Sequence, residues 1–320
     1  MRIGQNPAKT MDSVHQPARI TAAVVTYIPT LGGYYADSLE ILKLCLGSLR
    51  RHADLDFDLM VFDNASCDEA RDYLLGEQHQ GNIQYLVLSD KNIGKAGAWN
   101  YIFAAAPGEI VAYADSDVYF YPGWLGPQVA ALEAFPNSGM VTGLPMLTPV
   151  EYSSATVAWA ERQADVRYEH GRFLAWEDFW RHAVTLGGDE SRARQFYEEN
   201  EDHCIVYQGQ RYYIGAAHFQ FIARKQVLQQ ALPIPSERPM GQVRLLDEKI
   251  NELGFLRLTT EDWHVRHMGN TIPQDEDLRV WDIAARAAAP RPGSRLARIK
   301  AVRKLLQWIY NRVFEILYRS

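Results

Sequence analysis

EIVAYADSDV, residues 109–118, runs from an apolar, β-branched stretch into two aspartates that stand two residues apart. The apolar part is typical of a buried strand, which ends where Asp115-Ser116-Asp117 begins. In an extended chain, residues i and i+2 point to the same side. Both carboxylates could then face one divalent cation, which prefers oxygen ligands. By itself an Asp-x-Asp pair is more typical of an exposed turn, so its meaning depends on the pattern around it.

Upstream of this stretch, predicted strands and helices alternate. The predicted elements are a strand at 19–27, a helix at 38–51, a strand at 57–62, a helix at 68–78, a strand at 83–88, a helix at 94–105 and the strand at 109–114. Such alternation predicts an α/β fold with a mostly parallel central sheet and helices on both faces. Ligands bind such sheets at the C-terminal ends of the strands, which is where the two aspartates stand.

Polar residues also follow the second and third predicted strands. Asp63 ends the second strand, where its carboxylate could accept hydrogen bonds from a nucleoside or cap the following helix. After the third strand, Gly94 and Gly97 would let a ligand approach the backbone, and a helix N-terminus with Lys95 favours anionic oxygens. A plain helix entry with a solvated lysine is the alternative. The stretch is neither a dinucleotide-binding fingerprint nor a phosphate-binding P-loop.

Taken in order, these stretches resemble a family 2-like glycosyltransferase with the GT-A fold. The matching pieces are Val24-Val-Thr-Tyr27, Cys45-Leu-Gly-Ser-Leu49, Asp63-Asn-Ala-Ser66, Lys91-Asn-Ile-Gly94 through Ala98 and Asn100, and Asp115-Ser-Asp117 followed by Trp124. The resemblance covers residues 20–143 well and continues more faintly to Val265-Arg-His-Met-Gly269. Each motif alone is weak, and their shared order and spacing carry the resemblance.

The resemblance implies a metal-dependent, inverting transfer of a hexose-type sugar from a nucleotide sugar, linked to UDP, GDP or dTDP, onto a glycan or lipid-linked acceptor. The implied donor-binding residues are Thr26, Tyr27, Asp63, Asn92, Gly94, Lys95, Asn100, Asp115 and Ser116. Asp115, Asp117 and His267 would hold Mn²⁺ or Mg²⁺, with His264 as the competitor of His267. Such a cation stabilises the negative charge that develops on the leaving diphosphate.

The acid that removes the acceptor proton is where this sequence departs from the family. The resemblance implies an aspartate about eleven residues before Gly254, and Val243 stands there. The nearest acids, Asp247 and Glu248, are therefore the candidate catalytic residues, while a salt-bridged helix surface is the alternative. Asp178 is a more distant candidate. Aromatic residues of the middle region would line an acceptor cleft or pack in a core: Trp159, Tyr168, Trp176, Trp180 and Tyr197.

Composition fits an ordinary globular protein of 320 residues, with 47% hydrophobic and 22% charged residues. The three cysteines form no CxxC pair, which favours reduced thiols in the cytoplasm over a disulfide framework. The N-terminal residues lack a signal-peptide pattern, and no run is long and apolar enough for a membrane span.

The C-terminal segment differs in charge from the rest of the chain. Residues 283–320 contain nine basic residues and one acidic residue, a net charge of +8 that leaves −14 for the remainder of a chain whose total is −6. Apolar residues recur every three or four positions from Leu296 to Ile316, which predicts an amphipathic helix. We expect residues 294–318 to lie on an anionic membrane surface, at the inner face, or to pack on the catalytic domain or another subunit. The acidic body argues against nucleic-acid binding.

The predicted organisation is a flexible tail at 1–18, a nucleotide-sugar-binding half at 19–150, an acceptor-binding half at 151–282 and a basic helix at 283–320. The main functional alternative is a catalytically silent nucleotide-sugar-binding or scaffold protein of the same fold. A haloacid-dehalogenase-type phosphatase would need a Thr or Ser where Tyr119 stands. A sugar nucleotidyltransferase would need a richer glycine loop after the first strand.

Overall fold

The computed structural model describes residues 6–10, 13–240, 242–272, 308 and 312. The chain separates into two compact units, Met1–Ile272 and Pro273–Ser320, and every element named below belongs to the first. In the second unit the description is confined to Trp308 and Arg312, which are helical and exposed. The predicted amphipathic helix at 294–318 otherwise lies outside the described residues, as does the predicted boundary at 282.

Twelve strands are present among the described residues. They are β1 (Ile20–Thr26), β2 (Asp58–Asn64), β3 (Tyr85–Ser89), β4 (Ile110–Asp115), β5 (Val118–Phe120), β6 (Ser138–Thr142), β7 (Val166–Gly171), β8 (Asp202–Tyr207), β9 (Gln210–Ile214), β10 (Gln220–Arg224), β11 (Leu256–Thr260) and β12 (Val265–His267). The first four strands lie within two residues of their predicted bounds, because each is a short apolar run ended by polar or turn residues.

Nine α-helices connect these strands in the described part of the chain. They are α1 (Ser38–Arg51), α2 (Asp68–His79), α3 (Gly94–Ala105), α4 (Leu125–Ala134), α5 (Ser154–Ala160), α6 (Trp176–Ala183), α7 (Glu190–Glu199), α8 (Lys225–Gln230) and α9 (Arg244–Glu252). No helix in this part of the chain has the length and apolar character that a membrane crossing requires.

Ten strands form one sheet in the order β3-β2-β1-β4-β10-β6-β11-β9-β8-β7. The pairings make seven of the ten strands run in one direction, with β10, β9 and β7 reversed. The predicted mixed α/β architecture, with a mostly parallel central sheet, is thereby confirmed. Strand β10 was not expected beside β4, and it brings residues from the second half of the chain to the end of EIVAYAD.

Both faces of the sheet are buried. On one face, alternate residues such as Ala23, Phe62 and Tyr113 pack with α3, α8 and α9 in one apolar cluster. The intervening residues, Ala22 and Val24 among them, are also fully buried, and α4 contacts the sheet at β6 and β10. Strands covered on both sides read as continuous apolar runs, which is why β1, β2 and β4 are the clearest strands in the sequence.

A two-stranded sheet stands directly after the Asp-x-Asp sequence. Strand β5 begins at Val118 and pairs antiparallel with β12, so that Val118 faces His267. The backbone N–H of Met268 also donates to the carbonyl oxygen of Asp117, at 2.8 Å. These hydrogen bonds hold a histidine from the end of the described chain against an aspartate 150 positions earlier.

Candidate functional site

Asp115 ends β4, and its carboxylate is held from the α3 side of the sheet. The Lys95 Nζ atom lies 2.6 Å from Oδ2, and the Tyr113 hydroxyl donates to Oδ1 at 2.5 Å. Lys95 is 8% exposed, and its Nζ atom also stands over the rings of Trp99 and Tyr113. The lysine of the predicted anion-binding stretch is thus buried and paired with an aspartate, and it is not solvated.

Asp117 lies in the turn between β4 and β5 and faces a different partner. Its Oδ2 atom is 3.3 Å from Nε2 of His267, whereas Oδ1 is buried and has no hydrogen-bond partner. Because the chain turns after Asp115, the two carboxylates do not follow the extended i, i+2 geometry expected from the sequence. His267, and not His264, is the histidine beside Asp117: the backbone of His264 pairs with Gly143 and Tyr121.

The second ring nitrogen of His267 fixes how the imidazole is oriented. Its Nδ1 atom lies 2.8 Å from the Thr185 hydroxyl, which itself donates to the carbonyl oxygen of His182. The hydroxyl therefore accepts from Nδ1–H, and Nε2 is the nitrogen directed at Asp117. Burial lowers the pKa of His267, but the Asp117 carboxylate outweighs burial and raises it above the ordinary value. Burial likewise raises the pKa of Asp117, and His267 outweighs it, so that the net direction is down.

These atoms fit a divalent cation at Asp117 and His267. One carboxylate oxygen without a partner and one oriented imidazole nitrogen are ligands that Mn²⁺ accepts, and carboxylate oxygens also suit Mg²⁺. Two neighbouring ligand atoms that each lie about 2.1 Å from a metal ion are about 3 Å apart. Nε2 of His267 and Oδ2 of Asp117 are 3.3 Å apart, which is close to that separation. Asp115 fits less well because both of its oxygens have partners. Among the described residues, no group of three or more His, Cys, Asp or Glu side chains is arranged to hold a metal.

Three of the predicted donor-binding residues lie at the same edge of the sheet with free polar groups or accessible surface. The Thr26 hydroxyl at the end of β1 is buried without a hydrogen-bond partner. Tyr27 follows Thr26 in the chain and is 38% exposed. Ser116 is partly exposed in the turn between the two aspartates. Strands β1 and β4 are neighbours, so the ends of the two strands that carry these residues lie side by side.

Asp63 is not available to a ligand in this structure. Its side chain is 0% exposed, and Nε of Arg71 lies 3.1 Å from Oδ2. Both carboxylate oxygens also accept from the backbone N–H of Ser66, which closes a turn in which Ala65 takes a positive φ of 71°. The expected contact with a nucleoside is therefore replaced by a structural role, which differs from helix capping because α2 begins only at Asp68.

The N-terminus of α3 is occupied by another part of the chain. The N–H of Lys95 donates to the Pro239 carbonyl at 3.0 Å, and that of Gly97 donates to the Ser236 hydroxyl at 3.0 Å. Gly94 has a φ of +75°, and a Cβ atom there would lie 2.6 Å from the same hydroxyl. The glycines thus admit residues 236–239 and not the expected phosphate.

The two asparagines of this stretch are likewise engaged. Asn92 accepts at Oδ1 from Asn64 and from the N–H of Gly94. The amide of Asn100 bonds both the N–H and the carbonyl oxygen of Ile234. Asn92, Gly94 and Asn100 therefore order the loops around α3, and their contact with a donor stays a prediction.

Asp247 lies in the first turn of α9 and is buried. Nη2 of Arg257 is 2.8 Å from Oδ1, close enough for an ion pair although not aligned for a linear hydrogen bond. Nδ1 of His218 is 3.2 Å from Oδ2. Burial lowers the pKa of the Arg257 guanidinium, and Asp247 opposes this shift. The predicted catalytic acid is thus enclosed by two basic side chains.

The other candidate acids stand apart from Asp247. Glu248 lines a shallow surface cavity with Glu151, Tyr152, Asn251 and Glu252. Asp178 lies on α6, where Arg181 is 3.9 Å away. Neither has a described contact with Asp115, Asp117 or His267, so Asp247 is the acid that the structure joins most directly to the sheet.

Comparison with known proteins identifies the first half of this architecture. The profile described as Glycosyl transferase family 2 matches residues 28–175, which run from the end of β1 through both aspartates. Residues 28–175 form a glycosyl transferase family 2 domain. The resemblance drawn from the motifs is thereby confirmed.

A relative of the family 2 domain is the uncharacterised glycosyltransferase alr2836 of Nostoc sp., which is 30% identical over 122 residues. That match covers 38% of this chain and 37% of the Nostoc protein, so the chain spans well under two thirds of its relative.

Solved structures of similar arrangement include Staphylococcus aureus TarS 1–349, with a TM-score of 0.46 and 15% identity over 78% of this chain and 60% of that chain. Another is the Pyrobaculum calidifontis mannosyltransferase PcManGT in complex with GDP-Man and Mn²⁺, with a TM-score of 0.45 and 18% identity over 78% and 55% of the two chains.

The predicted acceptor-cleft aromatics, of which Trp159 and Tyr168 lie inside the matched residues 28–175, pack mainly against other aromatic or histidine rings. Tyr197 is buried in a small apolar cluster that Trp176 borders. Trp180 stacks on Trp176 with 8° between the rings. Trp159 packs on Phe135 and Tyr207, and the Tyr168 hydroxyl is 2.5 Å from Nδ1 of His203.

Four residues near the site were not found from the sequence: Tyr113, Thr185, His218 and Arg257. Tyr113 and Arg257 lie in strands β4 and β11, and no motif in the sequence distinguishes them. Thr185 and His218 come from loops far along the chain from their partners. Only the tertiary pairing of β10 with β4 and of β12 with β5 brings such residues near the two aspartates.

Proposed function

We propose that the protein is a glycosyltransferase that moves a sugar from a nucleotide-sugar donor to a hydroxyl of a glycan or lipid-linked acceptor. The transfer would depend on a divalent cation and invert the anomeric carbon. The observation that carries the proposal is the pair formed after β4 by the partly exposed Asp117 and the buried His267, within the residues that match the family 2 profile. This pair holds an unpartnered carboxylate oxygen and an oriented imidazole nitrogen where α/β sheets bind ligands.

The chain's own residues divide into two roles around a donor. Tyr27 is exposed after β1 and would stack on the nucleobase, while the Thr26 hydroxyl and Ser116 would bond the nucleoside and its sugar. Lys95 and Asp115 form a charged pair at the α3 side, from which Lys95 would turn toward the diphosphate. The donor would be linked to UDP, GDP or dTDP.

Asp117 and His267 would hold Mn²⁺ or Mg²⁺, with Asp115 able to join them only after releasing Lys95. When bound, the cation stabilises the negative charge on the departing diphosphate. The described residues otherwise supply binding, orientation and a group that accepts the proton of the acceptor hydroxyl. Among the acids that the sequence nominates, Asp247 and Glu248, the first faces the sheet and the second the outer surface.

A catalytically silent nucleotide-sugar-binding protein of the same fold is the alternative. The observation that favours it is the occupied N-terminus of α3, where residues 236–239 take the N–H groups of Lys95 and Gly97. Binding without turnover distinguishes this alternative from the enzyme.

The test combines binding with turnover. We expect UDP, GDP or dTDP, or one of their hexose conjugates, to raise the Tm in the presence of Mn²⁺ and not in its absence. The same conjugate should release its nucleoside diphosphate on incubation with the protein. A Mn²⁺-dependent shift in Tm without release of nucleoside diphosphate would support the silent alternative. If no donor produced either the shift or the release, the proposal would be wrong.

A matched pair of tyrosines tests the nucleobase position. Tyr27→Ala removes an exposed ring after β1, whereas Tyr101→Ala removes one that is 52% exposed on α3. A base–aromatic stack contributes about 1–3 kcal/mol, so the first change should raise the nucleotide Kd about 5- to 150-fold. The second should leave it unchanged. Equal effects of the two changes would place the nucleobase elsewhere.

We further propose that the basic residues at 294–318 dock the protein on the inner, cytoplasmic face of a membrane. The support is the charge of +8 over residues 283–320 and the apolar spacing of the sequence. Co-sedimentation of the full chain and of a chain ending at Ala289 with anionic and neutral vesicles tests it. Pelleting of the full chain alone, and only with anionic vesicles, is expected. Equal pelleting of both chains would instead favour packing of this segment on protein.

A further inference from the structure

We infer that His218 is the catalytic base of the proposed transfer and that Asp247 is its positioning residue. The inference rests on the proposed function and names the group that receives the proton. It starts from the burial of Asp247, whose side chain is 8% exposed and has Arg257 and His218 as partners. An acid enclosed in this way does not touch an acceptor hydroxyl. His218, whose side chain is 40% exposed, connects it to the surface.

The loop that carries His218 is fixed at each neighbouring residue. The Arg257 guanidinium donates to the Ala216 carbonyl at 2.5 Å, and the N–H of Ala217 donates to the Thr142 hydroxyl at 2.8 Å. The carbonyl oxygen of Phe219 accepts from the N–H of Asp115 at 2.8 Å. His218 is therefore held next to the residue that pairs with the end of β4, at the proposed donor site. Catalytic groups supported in this way need little reorganisation.

The contact with Asp247 determines which nitrogen of His218 is basic. A carboxylate only accepts hydrogen bonds, so Nδ1 carries the hydrogen that points to Oδ2, 3.2 Å away. Nε2 then holds the lone pair, and it has no hydrogen-bond partner among residues 6–272 that the structure describes. Arg257 lies 2.8 Å from the opposite oxygen of Asp247, which fixes the orientation of the carboxylate.

Nε2 of His218 takes the proton of the acceptor hydroxyl while the hydroxyl oxygen forms a bond to the anomeric carbon. The bond from that carbon to the diphosphate oxygen breaks, and the diphosphate leaves with the electron pair. The imidazolium that forms is stabilised by Asp247 and later loses its proton to solvent. A positioned base of this kind accelerates a reaction by about 10²–10⁴-fold.

The chain offers a matched control. His170 also has Nδ1 beside a carboxylate oxygen, that of Glu201 at 2.9 Å. Both side chains of this pair are exposed. His170 lies on β7, the edge strand at the opposite end of the sheet from β3. His170→Gln removes a histidine–carboxylate pair of the same kind without touching the proposed site.

The test uses the full chain with Mn²⁺ and UDP-glucose, UDP-N-acetylglucosamine or GDP-mannose, with water as the acceptor and nucleoside diphosphate release as the readout. His218→Gln keeps an N–H for Asp247 and removes the basic nitrogen, so kcat should fall about 10²–10⁴-fold while the donor-induced Tm shift is retained. His170→Gln should match the wild type. His218→Ala should be equally slow and regain rate when imidazole is added, which neither wild type nor His170→Gln should do.

The positioning role of Asp247 has its own readout. Asp247→Asn keeps the size of the side chain but loses the charge that stabilises the imidazolium, so kcat should fall with the donor KM unchanged. A rise in KM with constant kcat would contradict positioning.

A His218→Gln rate within about threefold of wild type overturns the base while leaving the proposed function intact. If His218→Ala is slow and added imidazole does not restore its rate, His218 is likewise not the base, and the proposed function still stands. A wild-type protein that releases nucleoside diphosphate from no donor removes the proposed function, and the base with it. The two failures are thus distinguishable.

Discussion

Asp117 and Asp247 are both carboxylates beside a histidine, but the Asp117 side chain is 32% exposed and that of Asp247 only 8%. They also differ in what neutralises them. Asp247 has the buried guanidinium of Arg257 at 2.8 Å, a partner that is permanently charged. Asp117 has His267 and a second oxygen without a partner. Asp117, in the turn after β4, can therefore accept an added cation. Asp247, in the first turn of α9, already has the Arg257 guanidinium of β11 beside it. The difference separates a carboxylate suited to binding from one suited to orienting a neighbour.

The largest effect is expected when the cation beside Asp247 is removed. Arg257→Met keeps an apolar stem and leaves the buried Asp247 carboxylate without its permanent cation, with only the partly exposed His218 beside it. The free energy of unfolding should therefore fall by about 3–5 kcal/mol. Urea unfolding measures this change. The double variant Arg257→Met with Asp247→Leu should recover much of the loss, because it removes the charge as well. A single variant as stable as wild type would mean that Asp247 does not depend on Arg257.

Lys95 gives a smaller and more informative effect. Lys95→Met leaves Asp115 without its charged partner at 2.6 Å, and the free energy of unfolding should fall by about 1–3 kcal/mol. The freed carboxylate should also enlarge the Mn²⁺-dependent rise in Tm, because Asp115 can then join Asp117 and His267. A Mn²⁺-dependent rise equal to that of wild type would show that Lys95 does not compete for this carboxylate.

The smallest effect is expected at an exposed ion pair. Arg211 lies 3.1 Å from Glu169, and both side chains are partly exposed, 31% and 22%. Arg211→Gln should change the free energy of unfolding by at most about 1 kcal/mol, since water screens such pairs. A loss as large as that of Arg257→Met would show that burial is not what distinguishes the two arginines.

The sequence predicted the first half of the fold well because its signals are local. Helix α1 has the predicted bounds of 38–51, and β1 to β4 are apolar runs ended by turn residues. The second half was poorly resolved. Strand β7, Val166–Gly171, alternates mostly polar and aromatic residues, and β10 pairs with β4 across more than a hundred residues. No local pattern encodes such a pairing.

The site divides in the same way. Asp115, Asp117 and Lys95 follow strands or begin helices, so position alone made them candidates. The competing roles of Asp63 and Asn100 could not be read, because Arg71 and the backbone of Ile234 occupy them only in the folded chain. Likewise, the sequence offered Asp247 as an acid but not its enclosure by Arg257 and His218, which comes from three separate segments.

The proposed binding of a divalent cation by Asp117 and His267 can be measured directly. Mn²⁺ titration followed by electron paramagnetic resonance, with UDP or GDP present, reports bound metal without requiring turnover. We expect the wild type and the exposed control Asp56→Asn to bind Mn²⁺ alike, and Asp117→Asn and His267→Gln to lose that binding while their Tm without metal stays close to wild type. Undiminished Mn²⁺ binding by Asp117→Asn would contradict the account.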